Sequence, residues 1–112
     1  MTKTNIKNLP AGEYFTECMY SDSHAWVVVS RTAKTITLSP VEVETDPEWT
    51  AKQKFHIGGF CGHMENQHEQ TWIFAKVNYE FKRIIRMTKK GWANNGTRYM
   101  EGVAREFHDY NF

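Results

Sequence analysis

Leucine is almost missing from the 112-residue chain: only Leu9 and Leu38 occur, beside three prolines and two cysteines. No apolar run approaches the roughly 18 residues that a membrane helix needs, and no secretory leader is expected. Cys18 and Cys61 make no disulfide framework, so a reducing cytoplasm, with both thiols free, is the expected setting. No ten-residue window keeps a 3.6-residue apolar period, which excludes a long amphipathic helix. There is no repeat, no low-complexity stretch and no linker that would split the chain. Neither a phosphate-cradling Walker loop nor a dinucleotide fingerprint after a strand is found. Net charge is only +1, so the chain as a whole declares itself for neither nucleic acid nor an acidic partner.

What is abundant is aromatic and β-branched: four tryptophans, five tyrosines and seven phenylalanines make 14% of the residues. Such residues suit a pleated, half-buried surface. Ala25-Trp26-Val27-Val28-Val29-Ser30 is the clearest strand, a β-branched run bounded by turn residues. Glu13 to Tyr20 precedes it, and Thr35 to Ser39 and Val41 to Glu44 follow with period-two alternation, so Gly12 to Glu44 reads as a three- or four-stranded antiparallel meander. Asp46-Pro47 reads as a turn, and Thr50 to Phe55 as a loop or a single helical turn. Thr71 to Val77, Phe81 to Thr88 and Arg98 to Met100 complete the strands, with a type I′ hairpin expected at Asn95-Gly96. The expected fold is all-β, a small antiparallel barrel, SH3-like or related, extended by additional hairpins and with little or no helix. Residues 1–8 read as a flexible lead-in and 9–112 as a single β domain, with the aromatic end from Glu106 docked onto it.

Charge is distributed unevenly. Glu13 to Glu48 holds seven acidic residues against two basic ones, whereas Lys82 to Arg105 holds seven basic residues against Glu101 alone. Such asymmetry marks a binding face, or two halves that fold onto one another. In a nucleic-acid reading, Lys82, Arg83, Arg86, Lys89, Lys90 and Arg98 meet phosphates while Trp92, with Tyr99, stacks on bases. Lysines on an exposed strand edge also block aggregation.

The least generic stretch is Gly58 to Trp72, with three glycines in five residues followed by a run dense in amide, imidazole and carboxylate groups. His56, Cys61, His63 and His68 are zinc-type ligands, but His-x4-Cys-x-His-x4-His is not a standard metal spacing. Cys61-x-His63 is too local to stand for a nucleophile and its base, and Glu65 and Glu69 do acid-base work only if their surroundings separate their pKa values. The preferred reading expects no metal, no cofactor and no catalytic set; a metal-stabilised protein or metal-dependent enzyme is the second alternative, after nucleic-acid binding. The stretch reads as a glycine-permitted, hydrogen-bonded loop whose contact residues are His63, Asn66, Gln67, His68, Glu69 and Gln70.

Gly58-Gly59-Phe60-x-Gly62-His63, Asn66-Gln67-His68-Glu69-Gln70-x-Trp72, Asp46-Pro47-x-Trp49 and Arg105-Glu106-Phe107-x-Asp109-Tyr110-Asn111-Phe112 together resemble a family of small uncharacterised proteins of bacteriophages and other mobile elements. The resemblance spans most of the chain from Tyr14. Members carry cysteine after the glycine-histidine pair, where this chain has Met64, which removes support for a metal role through Cys61. The family brings no activity with it. It implies a small accessory protein made in the cytoplasm of a bacterial host, binding a host protein, including one of a defence system, or nucleic acid, and not a membrane. Such context alone does not fix function.

Overall fold

In the computed structural model, residues 3–19, 21–53, 55–58, 61–64 and 66–108 are described, with side chains over 4–19, 21–53 and 66–108. The strands are β1 (Lys3–Thr4), β2 (Ile6–Lys7), β3 (Tyr14–Cys18), β4 (Ser23–Arg31), β5 (Thr35–Thr45), β6 (Phe55–Gly58), β7 (Cys61–Met64), β8 (Trp72–Val77), β9 (Arg83–Thr88), β10 (Gly91–Asn94), β11 (Thr97–Glu101) and β12 (Val103–Ala104). The one α-helix among the described residues is α1 (Pro47–Lys52), and no helix is long and apolar enough to cross a membrane.

Six strands close a ring in the order β3-β4-β5-β9-β10-β11, every pair antiparallel. The small antiparallel barrel expected from the strand pattern is therefore the observed fold, with β8 and β2 attached to it. The meander is β3-β4-β5, joined by short turns. Alternation along these strands serves two cores. Phe15, Trp26, Ile36 and Leu38 point into the barrel, where they meet Ile85 and Tyr99. Their neighbours Tyr14, Ala25 and Val41 point the other way, into a second core under Ile6 and Ala104. A sheet packed on both faces explains why Ala25 to Val28 is apolar without interruption, since one core lies on each side of that part of the strand.

The two alternating pieces expected on either side of Pro40 are one eleven-residue strand. Its first half, Thr35 to Leu38, pairs with β9 inside the barrel, and its second half, Val41 to Thr45, pairs with β8 outside it. Pro40, which has no N–H to give a ladder, falls where the partner changes, and its carbonyl accepts from the N–H of Asn78. The Asn95-Gly96 hairpin is as expected, with both residues at positive φ (48° and 86°), the geometry that a type I′ turn requires.

Three expectations need correction. Residues from Lys3 are not a loose lead-in: β1 lies parallel to β12 and β2 parallel to β8, and Ile6 is buried. Its aliphatic side chain is needed to roof the second core. Asp46-Pro47 does not break the chain into a turn; Asp46 caps α1, its carboxylate accepting from the N–H of Glu48 at 3.0 Å, and Pro47 occupies the first turn, where a missing N–H costs nothing. The stretch expected to be loop carries strands β6 and β7, paired antiparallel from Phe55↔Met64 to Gly58↔Cys61 and, among the described residues, with no other strand. Gln67–Glu69 follow as one 3-10 turn.

Candidate functional site

The residues that drew attention in the sequence are largely parts of the fold's own stitching. Asn66 is buried, and its amide donates to the carbonyl of Lys52 at 2.6 Å and to the carboxylate of Glu69 at 3.2 Å. Gln70, also buried, clasps His108 from both sides, its Nε2 donating to the His108 carbonyl and its Oε1 accepting the His108 N–H. Asp46 accepts from Thr71 at 2.6 Å and pairs with Lys7 at 2.8 Å, and Trp49, three residues on, is buried. Gln67 is half-buried, and His68 and Glu69 are exposed. The side chains of His56, Cys61 and His63 lie outside the described residues, as do Asp109 to Phe112. Among the described residues no group of three His, Cys, Asp or Glu side chains is placed to hold a metal.

A polar cluster that sequence reasoning missed sits at one mouth of the barrel. Glu17 points inward from β3, and both its oxygens are used: Oε1 accepts from the Trp26 indole at 3.1 Å, and Oε2 accepts from Arg83 at 2.8 Å and from the Tyr99 hydroxyl at 3.3 Å. Arg83 also donates to the Tyr99 hydroxyl at 2.7 Å and lies 4.5 Å over the Trp26 ring, a cation–π stack. Burial is the largest influence on Tyr99 and raises its pKa. Burial is also the largest single influence on Arg83 and lowers its pKa, but the bonds and charges of Tyr99 and Glu17 together outweigh it and the pKa is raised overall. Beside them His24 meets Glu106 at 2.7 Å. A cavity of about 340 Å³ opens here, lined by Glu17, His24, Trp26, Pro40, Val43 and Glu106. Its innermost carboxylate is already fully bonded within the protein, so the mouth is a locked cluster. The missed signal was parity, because Glu17 shares a strand face with the core residue Phe15.

The basic hairpin divides by the same rule. Arg83 faces inward, and Trp92 packs edge-on against Phe15 with ring centroids 6.2 Å apart, so neither Trp92 nor the buried Tyr99 presents a ring to a base. Lys82, Arg86, Lys89, Lys90 and Arg98 are exposed, and among the described residues none of their side chains has an ion pair. On the outer surface Arg86 of β9, Ala93 of β10 and Arg98 of β11 stand in one cross-strand row. Two residues along their strands, Ile84 and Met100 point the same way and are 50% and 52% exposed. This face combines unpaired cations with uncovered aliphatic surface.

The pH dependence of stability follows from two of these contacts. The hydrogen bond from Lys7, then that from Thr71, lowers the Asp46 pKa to about 2, so its contribution is complete above its ordinary value and is lost as pH falls toward 2. The Glu106 hydrogen bond raises the pKa of His24 above its ordinary 6.5; its contribution is complete below 6.5 and is lost as pH rises through the raised value. Melting temperature followed against pH should therefore decline at both ends. Asp46→Asn is expected to flatten the acid limb alone and His24→Gln the upper limb alone; parallel curves for all three proteins would contradict this assignment. Compared with protein families, with curated proteins and with solved structures, the chain matches none of them.

Proposed function

We propose that the protein is a non-catalytic binding protein that acts on a host macromolecule, as a phage- or mobile-element-encoded accessory factor in the bacterial cytoplasm would, and that its contact surface is the outer face of β9, β10 and β11. The observation that carries this reading is the row Arg86–Ala93–Arg98 with Ile84 and Met100 exposed beside it. Arginine and methionine are enriched in protein interfaces, and a fold that ties its other polar clusters internally leaves these cations unpaired. His68 and Glu69, exposed on the 3-10 turn, supply a second contact region, while Asn66 and Gln70 hold the turn in place.

The test is capture from host lysate by the purified protein. A partner retained by the wild type should be lost, with affinity falling at least about tenfold, in the double variant Arg86→Glu, Arg98→Glu. It should be kept in Lys76→Glu, a charge reversal on β8, which is attached to β5 and pairs with none of β9, β10 and β11. Equal capture by all three proteins would move the contact elsewhere. The unpaired cations also favour a second reading, nucleic acid held through phosphates. It requires affinity that falls log-linearly with salt, with a slope of about −0.9 per phosphate neutralised, and salt-insensitive binding rules it out.

A further inference from the structure

On the reading that the outer face of β9, β10 and β11 is the contact surface, we infer that its ligand is an acidic protein segment bearing aliphatic side chains, laid along β10 as along the floor of a trough. The floor is made by residue size. On the outer side β10 carries only Gly91 and Ala93, and a Cβ placed on Gly91 would meet nothing within 4 Å. The walls are the neighbouring strands: Ile84 and Arg86 on β9, Arg98 and Met100 on β11. The walls stand two strand spacings apart, roughly 10 Å, wide enough for one peptide segment. Beside the β11 wall a cavity of about 120 Å³ opens between Cys18, Arg98, Tyr99 and Met100, a volume on the scale of a single aliphatic side chain.

Chemistry selects the occupant. Arg86 and Arg98 flank the floor with no carboxylate of the described chain on either of them, so they complement carboxylates, which arginine takes in bidentate pairs. Ile84 and Met100 are half exposed and gain only from an apolar neighbour. Nucleic acid would answer the arginines but offers no aliphatic groups, and the rings that would stack on its bases, Trp92 and Tyr99, are turned into the barrel. An acidic segment with leucine-like side chains satisfies both kinds of residue at once.

Three synthetic probes separate the possibilities: a short glutamate-rich peptide carrying two leucines, the same peptide with serines in their place, and a short DNA duplex. The leucine peptide should bind at least about tenfold more tightly than the serine peptide and more tightly than the duplex. Ile84→Ser with Met100→Ser should erase the difference between the peptides, while Arg86→Glu with Arg98→Glu should weaken both. All four positions are exposed, and an unchanged melting temperature will confirm that the variants fold. Equal binding of the two peptides, or preference for the duplex, with sensitivity to the arginine reversals, overturns the acidic-aliphatic ligand but leaves the face as the contact surface. No binding of any probe, together with lysate capture indifferent to the arginine reversals, removes the face itself.

Discussion

Replacing Glu17 by alanine is expected to destabilise the protein by about 3 kcal/mol, a large share of the total stability of a domain this size. The carboxylate accepts from three side chains at once: the Trp26 indole, the Arg83 guanidinium and the Tyr99 hydroxyl. Its removal leaves the Trp26 N–H without an acceptor and the Arg83 charge without its carboxylate, with the Tyr99 hydroxyl as the remaining acceptor, and an unpaired buried group costs more than the bond itself contributed. Arg83 keeps some access to water, with its side chain 29% exposed, which holds the loss near the lower end for buried ion pairs. Glu17→Gln keeps one acceptor and should lose less. The Glu17→Met, Arg83→Met double variant should recover part of the loss, because apolar replacement of both partners removes the orphaned charge. Urea unfolding of the two single variants and the double gives a coupling energy, expected to exceed about 1 kcal/mol. Additive losses would show that the two residues act separately.

Asn5→Ala should lose about 2 kcal/mol, although the residue lies in a stretch that reads as a lead-in. Its amide nitrogen donates to the carbonyls of Gln70 at 3.1 Å and Glu106 at 2.7 Å, and its oxygen accepts the Glu106 N–H at 3.0 Å. Three bonds at roughly 1 kcal/mol each, less some replacement by water, set the figure. The loss should be local as well as global. Without Asn5 the segment from Arg105 to His108 loses both bonds at the Glu106 backbone and relies on its contacts with Thr16, Asp22, Ser23, His24 and Gln70, so limited proteolysis should cut the variant there well before the barrel unfolds. An intact segment with wild-type cleavage kinetics would show that the other anchors suffice.

The strands of the barrel were legible because their causes are local. The valine run of β4, the alternation of Thr35 to Leu38 and the Asn95-Gly96 turn each follow from the residues at those positions. What was not legible was partnership. Nothing in Asn5 or its neighbours announces Glu106, and the closure of the ring by β5 and β9 joins segments about fifty residues apart, Thr35↔Arg86 among them. Arg83 and Trp92 belong to the interior because Ile85 and Tyr99 fix the parity of their sheet, a fact that the mixed pattern of Phe81 to Thr88 conceals. Asp46-Pro47 was misjudged although its signal was present: an aspartate followed by proline starts a helix as well as a turn, and Trp49, pointing into the fold, decides between them. The motif residues owe their distinctness to the same cause. Asp46, Asn66, Gln70 and Glu106 are polar groups in buried positions, each tied to a defined partner.

The parallel clasp of β1 on β12, with Lys3 opposite Val103, also governs the order in which the molecule can be made. The barrel ring is complete once β11 has emerged, but the second core needs Ile6 from one end and Ala104 from the other, with Asn5 and Glu106 bonded across 101 residues. A chain growing on the ribosome therefore cannot complete the core around Ile6, Tyr14 and Val41 until Ala104 has emerged. Contacts this distant in sequence form late and slowly, so closing the second core over Ile6 is the last step of folding that these strands can take.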